Sequence, residues 1–112
     1  MKTIFEKIID NELPSDKVYE DDRFVAIKDK YPKAPVHLLI IPKKMIADIQ
    51  SLEKEDFSLM GEVFRVAQQL AREFELEDEG YRLLVNNGPN AGQTIYHIHF
   101  HLLGGRPLGP MG

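Results

Sequence analysis

The chain has 112 residues, with 14 Lys and Arg against 18 Asp and Glu, and it contains no cysteine. This length suits one compact domain over residues 1–112, and 43% hydrophobic and 29% charged residues are typical of a globular protein. A net charge of −4 without a Lys/Arg block argues against polymeric nucleic acid as a partner. Disulfides, thiolate metal sites and cysteine nucleophiles are excluded, so histidine is the leading candidate for chemistry.

The N-terminus predicts neither a secretion signal nor a membrane anchor. It turns polar at Glu6, before a signal-like apolar core develops. No later apolar run approaches the ~20 residues that a membrane span needs. We therefore expect a cytoplasmic protein that has no membrane partner.

The first third of the chain predicts one helix and three strands. Thr3 and Glu6 match a capping box, and apolar residues follow at helical spacing, so a short helix should run to about residue 11. Residues 18–20 and 24–28 are β-candidates separated by a polar turn, which favours a hairpin. Residues 37–41 are too short an apolar run for a globular helix and are stopped by a proline, which indicates a central strand.

The rest of the chain predicts the major helix and two further strands. Ser51 is a possible N-cap, and apolar residues then keep a helical period to about Leu76, an apolar stripe that we interpret as core packing. Residues 81–86 and 95–103 predict strands. The element order αβββαββ favours an α+β fold, with a mostly antiparallel five-stranded sheet and two helices against one of its faces.

Three of the four histidines fall in the last predicted strand, in the run His-Ile-His-Phe-His-Leu-Leu over residues 97–103. Side chains two residues apart in a strand share a face at steps of about 6.6 Å, so His97, His99 and His101 should form an imidazole row on an apolar support. Packing alone does not explain three histidines at this period. Because the reference pKa of imidazole is ~6.5, one ring can be a neutral nucleophile while a neighbour donates a proton.

The loop before this strand, residues 86–94, has the sequence Asn-Asn-Gly-Pro-Asn-Ala-Gly-Gln-Thr. Its glycines can adopt positive φ and turn backbone N–H groups toward an anion. It is not a Walker loop, and by itself it would be an ordinary surface connection. Its direct entry into the histidine strand favours the anion-binding interpretation.

These motifs give the chain a resemblance to the histidine-triad family, whose signature of three histidines alternating with apolar residues is matched at every position of residues 97–103. The similarity covers nearly the whole chain and is closest to the Hint-type branch of purine nucleoside phosphoramidases, with a tail like that of bacterial members. It is carried by residues 3–5, 19–23, 37–44, 80–82 and 104–106. The resemblance implies a homodimer whose sheet continues across the interface, and no metal or organic cofactor.

The resemblance also implies a reaction and a role for each matched residue. Nucleoside phosphoramidates or related nucleotidyl conjugates would be hydrolysed to an AMP- or GMP-type purine nucleotide through a covalent nucleotidyl-histidine intermediate. His99 would be the nucleophile, oriented by the main-chain carbonyl of His97. His101 and His37 would contact phosphate oxygens or protonate the departing amine, two tasks that the sequence does not divide between them. The implied substrate contacts are Asn86, Gly92 and Thr94 at the phosphate, Asp29 at the ribose, and Phe5, Ile8 and Ile27 around the base.

Two departures and two rival interpretations accompany this resemblance. Lys30 follows Asp29 where an apolar residue is common, which leaves the base preference open, and Ala91 replaces a usual glycine. Histidines on one face could instead bind zinc or copper. The chain could also be a nucleotide-binding or scaffold protein without turnover.

Overall fold

A computed structural model describes all residues, 1–112. The elements are helix α1 (Ile4–Ile9), strands β1 (Lys17–Glu20), β2 (Phe24–Lys28) and β3 (Val36–Pro42), helix α2 (Phe57–Glu73), and strands β4 (Tyr81–Leu84) and β5 (Phe100–Gly104). The strands form one sheet in the order β1-β2-β3-β5-β4, and every neighbouring pair is antiparallel. The predicted α+β class, with five strands and two helices, is confirmed.

The two helices cover opposite faces of the sheet, so the prediction that both lie against one face is wrong. Phe24 and Ala26 of β2 pack with α2, whereas Val25 and Ile27 pack with α1, because successive side chains of a strand point to opposite faces. All four residues are buried. The run of four apolar residues at 24–27 is thus covered on both sides of the sheet. We call the two sides the α1 face and the α2 face.

Helix α1 begins at a polar cap where predicted, whereas α2 begins later than predicted and its N-cap side chain makes no capping hydrogen bond. The capping box of α1 is present, with Glu6 N 3.1 Å from Thr3 Oγ1 and Thr3 N 2.8 Å from Glu6 Oε1. Helix α2 begins at Phe57 and not at Ser51, whose amide is instead held by Asp48 in a separate 3-10 turn. It ends at Glu73, short of Leu76, because Glu75 adopts a left-handed φ of 57°.

The last strand begins five residues later than predicted, so His97 and His99 lie outside it. The ladder between β3 and β5 stops at the pair Ile40 and Phe100. Pro42 lacks an N–H and cannot extend the ladder further. Ile98 donates its amide to Ile46 O instead, at 2.7 Å. The strand β4 is also shorter than predicted and ends at Leu84.

Neither helix combines the length and the hydropathy that crossing a membrane would require.

Candidate functional site

Three of the four histidines form a connected group beside α1. His37 in β3 and His101 in β5 both lie on the α1 face, because their strand neighbours Leu38 and Leu102 pack on the α2 face. The ring centroids of His37 and His101 are 5.2 Å apart, and those of His101 and His99 are also 5.2 Å apart. Topology therefore joins a fourth histidine, distant in sequence, to the end of the predicted row.

His97 does not belong to an accessible row, because its imidazole is completely buried. Its Nε2 lies 2.6 Å from the carbonyl oxygen of Pro42, which can only accept, so Nε2 carries the hydrogen. Nδ1 then holds a lone pair and has no partner. Burial lowers the pKa of His97, so the ring is neutral in the folded protein near pH 7. The side chain of His97 serves the packing of this segment rather than contacting solvent.

The main chain of His97 orients the next histidine. Nδ1 of His99 lies 2.8 Å from the carbonyl oxygen of His97 and must donate its hydrogen there, the hydrogen bond that the resemblance implied. Nε2 of His99 is therefore left with a free lone pair. Burial is the main cause that lowers the pKa of His99, which keeps this lone pair unprotonated near pH 7. The edge-to-face contact with Phe5, 4.8 Å between centroids, supports the ring.

Hydrogen bonds also determine where His37 and His101 carry their hydrogens. The amide of Lys33 donates to His37 Nδ1 at 3.0 Å, so the neutral ring holds its hydrogen on Nε2. His37 Nε2 lies 2.9 Å from His101 Nδ1, closer than the 3.4 Å to Asp29 Oδ2, and donates to that nitrogen. His101 must then carry its own hydrogen on Nε2. Burial first, and then the neighbouring His99 and His37, lower the pKa of His101 to about 4.

Two adjacent imidazoles thus present opposite chemistry at the same ring position. Nε2 of His99 offers a lone pair, whereas Nε2 of His101 offers a hydrogen. Because burial lowers the pKa of both rings, both are neutral near pH 7, and neither role requires a charged imidazole. A nucleophile and a proton donor can therefore coexist in one site.

The loop at residues 86–94 has the predicted positive φ at its glycines, 85° at Gly88 and 93° at Gly92. Ala91 ends a short 3-10 helix (Pro89–Ala91) and does not have a positive φ, so this departure from glycine leaves the loop backbone unstrained. The amides at positions 88, 91, 92 and 93 donate to acceptors inside the loop. The amide of exposed Thr94 makes no hydrogen bond within the chain and remains available to a ligand.

Gln93 is a buried part of this loop that the sequence interpretation missed. Its side-chain oxygen accepts from Gly88 N at 2.8 Å, and its amide nitrogen donates to Ala47 O at 2.9 Å and Ile95 O at 3.2 Å. Asn87, also missed, accepts from Ile49 N at 2.7 Å. Both residues tie the loop to the segment after β3. A glutamine in a turn-rich loop is expected to be solvated, so only the fold reveals that Gln93 is buried.

The residues predicted to contact the substrate differ in how much of their surface is exposed to a ligand. Phe5, Ile8 and Ile27 are core residues with only 3–6% of their surface exposed, and they hold α1 on the sheet. Asp29 is partly buried beside His37 and accepts from Tyr31 N at 2.8 Å. Asn86 is partly buried and its side chain makes no hydrogen bond within the chain, while Gly92 and Lys30 are exposed.

Asp29, His37 and His101 also have the donor types that a metal ion could use. One ligand atom from each lies within 4.8 Å of the other two. Zinc binds imidazole nitrogens and carboxylate oxygens, so the donor set fits this ion. A metal here would replace the hydrogen bond between His37 and His101.

Comparison with known proteins gives the same family at the levels of sequence and fold. A family model described as "HIT domain" matches residues 10–108. The purine nucleoside phosphoramidase of Escherichia coli K12 is 47% identical over 110 residues, which cover 98% of this chain and 92% of that protein. A HIT family hydrolase from Legionella pneumophila has a similar structure, with a TM-score of 0.94, 44% identity and 96% of both chains covered. A histidine triad protein from Clostridium difficile gives a TM-score of 0.95 and 36% identity, over 100% of this chain and 97% of that one. This chain belongs to the histidine-triad (HIT) family.

Proposed function

We propose that this chain is a nucleotide hydrolase that cleaves nucleoside 5′-phosphoramidates, or related nucleotidyl conjugates, to a nucleoside monophosphate. The observation that carries the proposal is the opposite protonation of two neighbouring ring nitrogens. Nε2 of His99 has a lone pair, whereas Nε2 of His101 has a hydrogen. The name of the Escherichia coli relative supports a phosphoramidate of a purine nucleoside as the substrate.

In the first step, His99 Nε2 attacks the α-phosphorus and forms a new phosphorus–nitrogen bond. The bond from phosphorus to the leaving amine breaks, and the amine takes the hydrogen of His101 Nε2. The histidine pair is then left with one hydrogen, shared between His37 Nε2 and His101 Nδ1 across their 2.9 Å contact, and with one negative charge that balances the positive charge of the nucleotidylated His99. The negative charge of Asp29 favours the return of a proton to this pair in the second step.

In the second step, water attacks the nucleotidyl-histidine. The histidine pair takes a proton from the water, the bond between phosphorus and His99 Nε2 breaks, and nucleoside monophosphate is released. His99 returns to its starting state because its Nδ1 keeps its hydrogen, donated to the carbonyl of His97, throughout. The free amide and hydroxyl of Thr94, with Asn86 and Gly92, would donate to or contact the phosphoryl oxygens, where charge develops.

The remaining contacts concern nucleoside recognition. Asp29 would accept hydrogen bonds from the ribose hydroxyls with the oxygen that does not face Tyr31. Phe5, Ile8 and Ile27 would meet the base only along their edges, since most of their surface packs in the core. Exposed Lys30 makes no ion pair and can lay its methylene groups along the base while its ammonium stays in water.

Turnover of an adenosine 5′-phosphoramidate tests this proposal. His99→Asn is the informative control, because an asparagine side-chain amide can still donate to the carbonyl of His97 but cannot attack phosphorus. We expect its kcat to fall by a factor on the order of 10³ or more, while AMP still binds. Wild-type rates in this variant would remove His99 as the nucleophile. AMP binding without turnover by the wild-type protein would instead favour a nucleotide-binding or scaffold protein.

We also propose that the chain forms a homodimer through β4 and α2. Strand β4 is an edge of the sheet, so one side of its backbone has no neighbouring strand. Phe57 and Phe64 of α2, seven residues apart and therefore on one side of the helix, are 60% and 66% exposed. The exposed aromatic side chains of α2 and the free edge of β4 both support pairing with a second copy.

The cluster of Asp29, His37 and His101 favours a metal protein as a second candidate function. A Zn²⁺ titration followed by calorimetry, with His37→Gln as the control, measures whether the cluster binds the ion. A metal-dependent function requires activity that a chelator removes and Zn²⁺ restores. The proposed hydrolase requires that Zn²⁺ bound to this cluster inhibits turnover, because the ion displaces the hydrogen between His37 and His101.

A further inference from the structure

The segment that follows β5 returns to the loop that precedes β3. Gly105 turns the chain with a φ of 97°, and a Cβ added at this position would lie only 2.9 Å from Pro35 Cβ. Immediately after this turn, Arg106 Nη2 donates to the carbonyl oxygen of Lys33 at 2.7 Å, while Nη1 donates to Pro107 O at 2.7 Å. The backbone of residues 33–35 is therefore held from the C-terminal side by a close contact and a charged donor.

The same residue that Arg106 holds also contacts the histidine pair. The carbonyl of Lys33 accepts from Arg106, and the amide of Lys33 donates to His37 Nδ1 at 3.0 Å. Pro32 and Pro35 flank this residue, and each has a fixed φ. The amide and the carbonyl of Lys33 belong to two rigid peptide groups that meet at its Cα, so the contact of the carbonyl with Arg106 limits how far this Cα can move and, with it, the direction of the amide.

This amide selects one of two opposite states of the histidine pair. With a hydrogen donated to His37 Nδ1, His37 donates from Nε2 and His101 keeps its hydrogen on Nε2. If His37 carried its hydrogen on Nδ1, its Nε2 would become an acceptor, and His101 would have to donate from Nδ1. His101 Nε2 would then be a lone pair, with no hydrogen for a leaving group.

We propose that Arg106 is a positioning residue, which holds the backbone of Lys33 so that His37 and His101 keep the tautomers needed for proton donation from His101 Nε2. The catalytic consequence rests on the proposed hydrolase function, whereas the effect on the tautomers does not. Arg106 itself is exposed and touches none of the histidines.

Nitrogen-15 NMR of the histidine rings tests the tautomers directly, because the two nitrogens of a neutral ring have different shifts according to which one carries the hydrogen. Spectra are recorded above the reference imidazole pKa of about 6.5. In the wild-type protein we expect His37 with its hydrogen on Nε2, and in Arg106→Ala we expect a mixture of both tautomers. Arg82→Ala is the matched control, because Arg82 holds the same tail at Gly109 O, 3.1 Å away, but does not contact Lys33.

Two further variants separate this role from general loosening. Arg106→Lys keeps the charge and a donor and should restore the Nε2 tautomer, whereas Gly105→Ala should disturb it by pushing against Pro35 without removing the guanidinium. In Arg106→Ala we expect kcat to fall about fivefold, as for the loss of one hydrogen bond, while the Kd of AMP stays unchanged. An unmixed His37 Nε2 tautomer in Arg106→Ala would overturn the proposal. If the wild-type protein does not turn over any phosphoramidate, the proposed function fails, but the NMR comparison still decides whether Arg106 sets the tautomer.

Discussion

Replacing Gln93 with Met tests how the loop before the histidines is held. Methionine has a similar length but offers no amide, so the variant loses the three hydrogen bonds to Gly88 N, Ala47 O and Ile95 O. Gln93 is only 5% exposed, and water has little access to these backbone groups in the folded loop. Each bond contributes about 1 kcal/mol net, and a buried group left unpaired costs about 1–3 kcal/mol.

From these values we expect Gln93→Met to lower the free energy of unfolding by about 3 kcal/mol. Urea unfolding followed by circular dichroism measures this loss as a lower midpoint with an unchanged slope. Gln69→Met is the matched control, because Gln69 on α2 makes one hydrogen bond, to Glu73 at 3.1 Å on the surface. The control should lose less than about 0.5 kcal/mol.

A loss below about 1 kcal/mol for Gln93→Met would refute the reasoning, because the buried bonds would then be worth no more than one ordinary hydrogen bond. Equal losses in the two glutamine variants would refute it as well. The same variant should weaken AMP binding, since the loop that carries Thr94 would no longer be fixed against the segment after β3.

Three other predictions follow from burial and exposure in the same region. The pKa of His101 is lowered to about 4 in the folded chain, against about 6.5 when unfolded, so the unfolded state binds more protons between these two pH values. Stability should therefore fall as pH drops from 6.5 toward 4. Urea midpoints measured over this range should show the fall, and they should change less with pH in His101→Gln. Lys30→Ile should change kcat/KM for adenosine substrates by less than about tenfold, or ~1.4 kcal/mol, and a larger change or a new base preference would make Lys30 a specificity determinant. Phe64→Glu should yield a monomer by light scattering, while Gln69→Glu, on another side of α2, stays dimeric, and a wild-type monomer would contradict the proposed interface.

The strands and the class of the fold could be predicted because they depend on local patterns. Short apolar runs interrupted by proline and polar turns marked β2 and β3, and Thr3 with Glu6 marked the start of α1. The start of α2 was wrong because Ser51 is a plausible cap in sequence, whereas Asp48 captures its amide in a separate turn. The two-sided cover of the sheet could have been predicted, since the run Phe-Val-Ala-Ile has no polar face to leave in water.

The histidine motif predicted a group of imidazoles but not the arrangement of that group. A period of two predicted one strand with three imidazoles in a row, yet His97 is in the interior and His37 joins from β3. The directions of the hydrogens could not be predicted, because they depend on the amide of Lys33 and on two carbonyls, and backbone groups are the same in every sequence.

Pro42 is the common physical cause of the late start of β5, the burial of His97 and the orientation of His99. Because it has no N–H, the ladder with β5 ends, and the chain at residues 95–99 is free to leave the strand. The carbonyl of Pro42 then binds the imidazole of His97, which fixes that residue in the core. The carbonyl of His97 is thereby held where it accepts from His99 Nδ1, and this leaves the lone pair of His99 on Nε2. Which ring nitrogen of the proposed nucleophile His99 holds the lone pair thus depends on Pro42, which ends a strand 57 positions earlier in the chain.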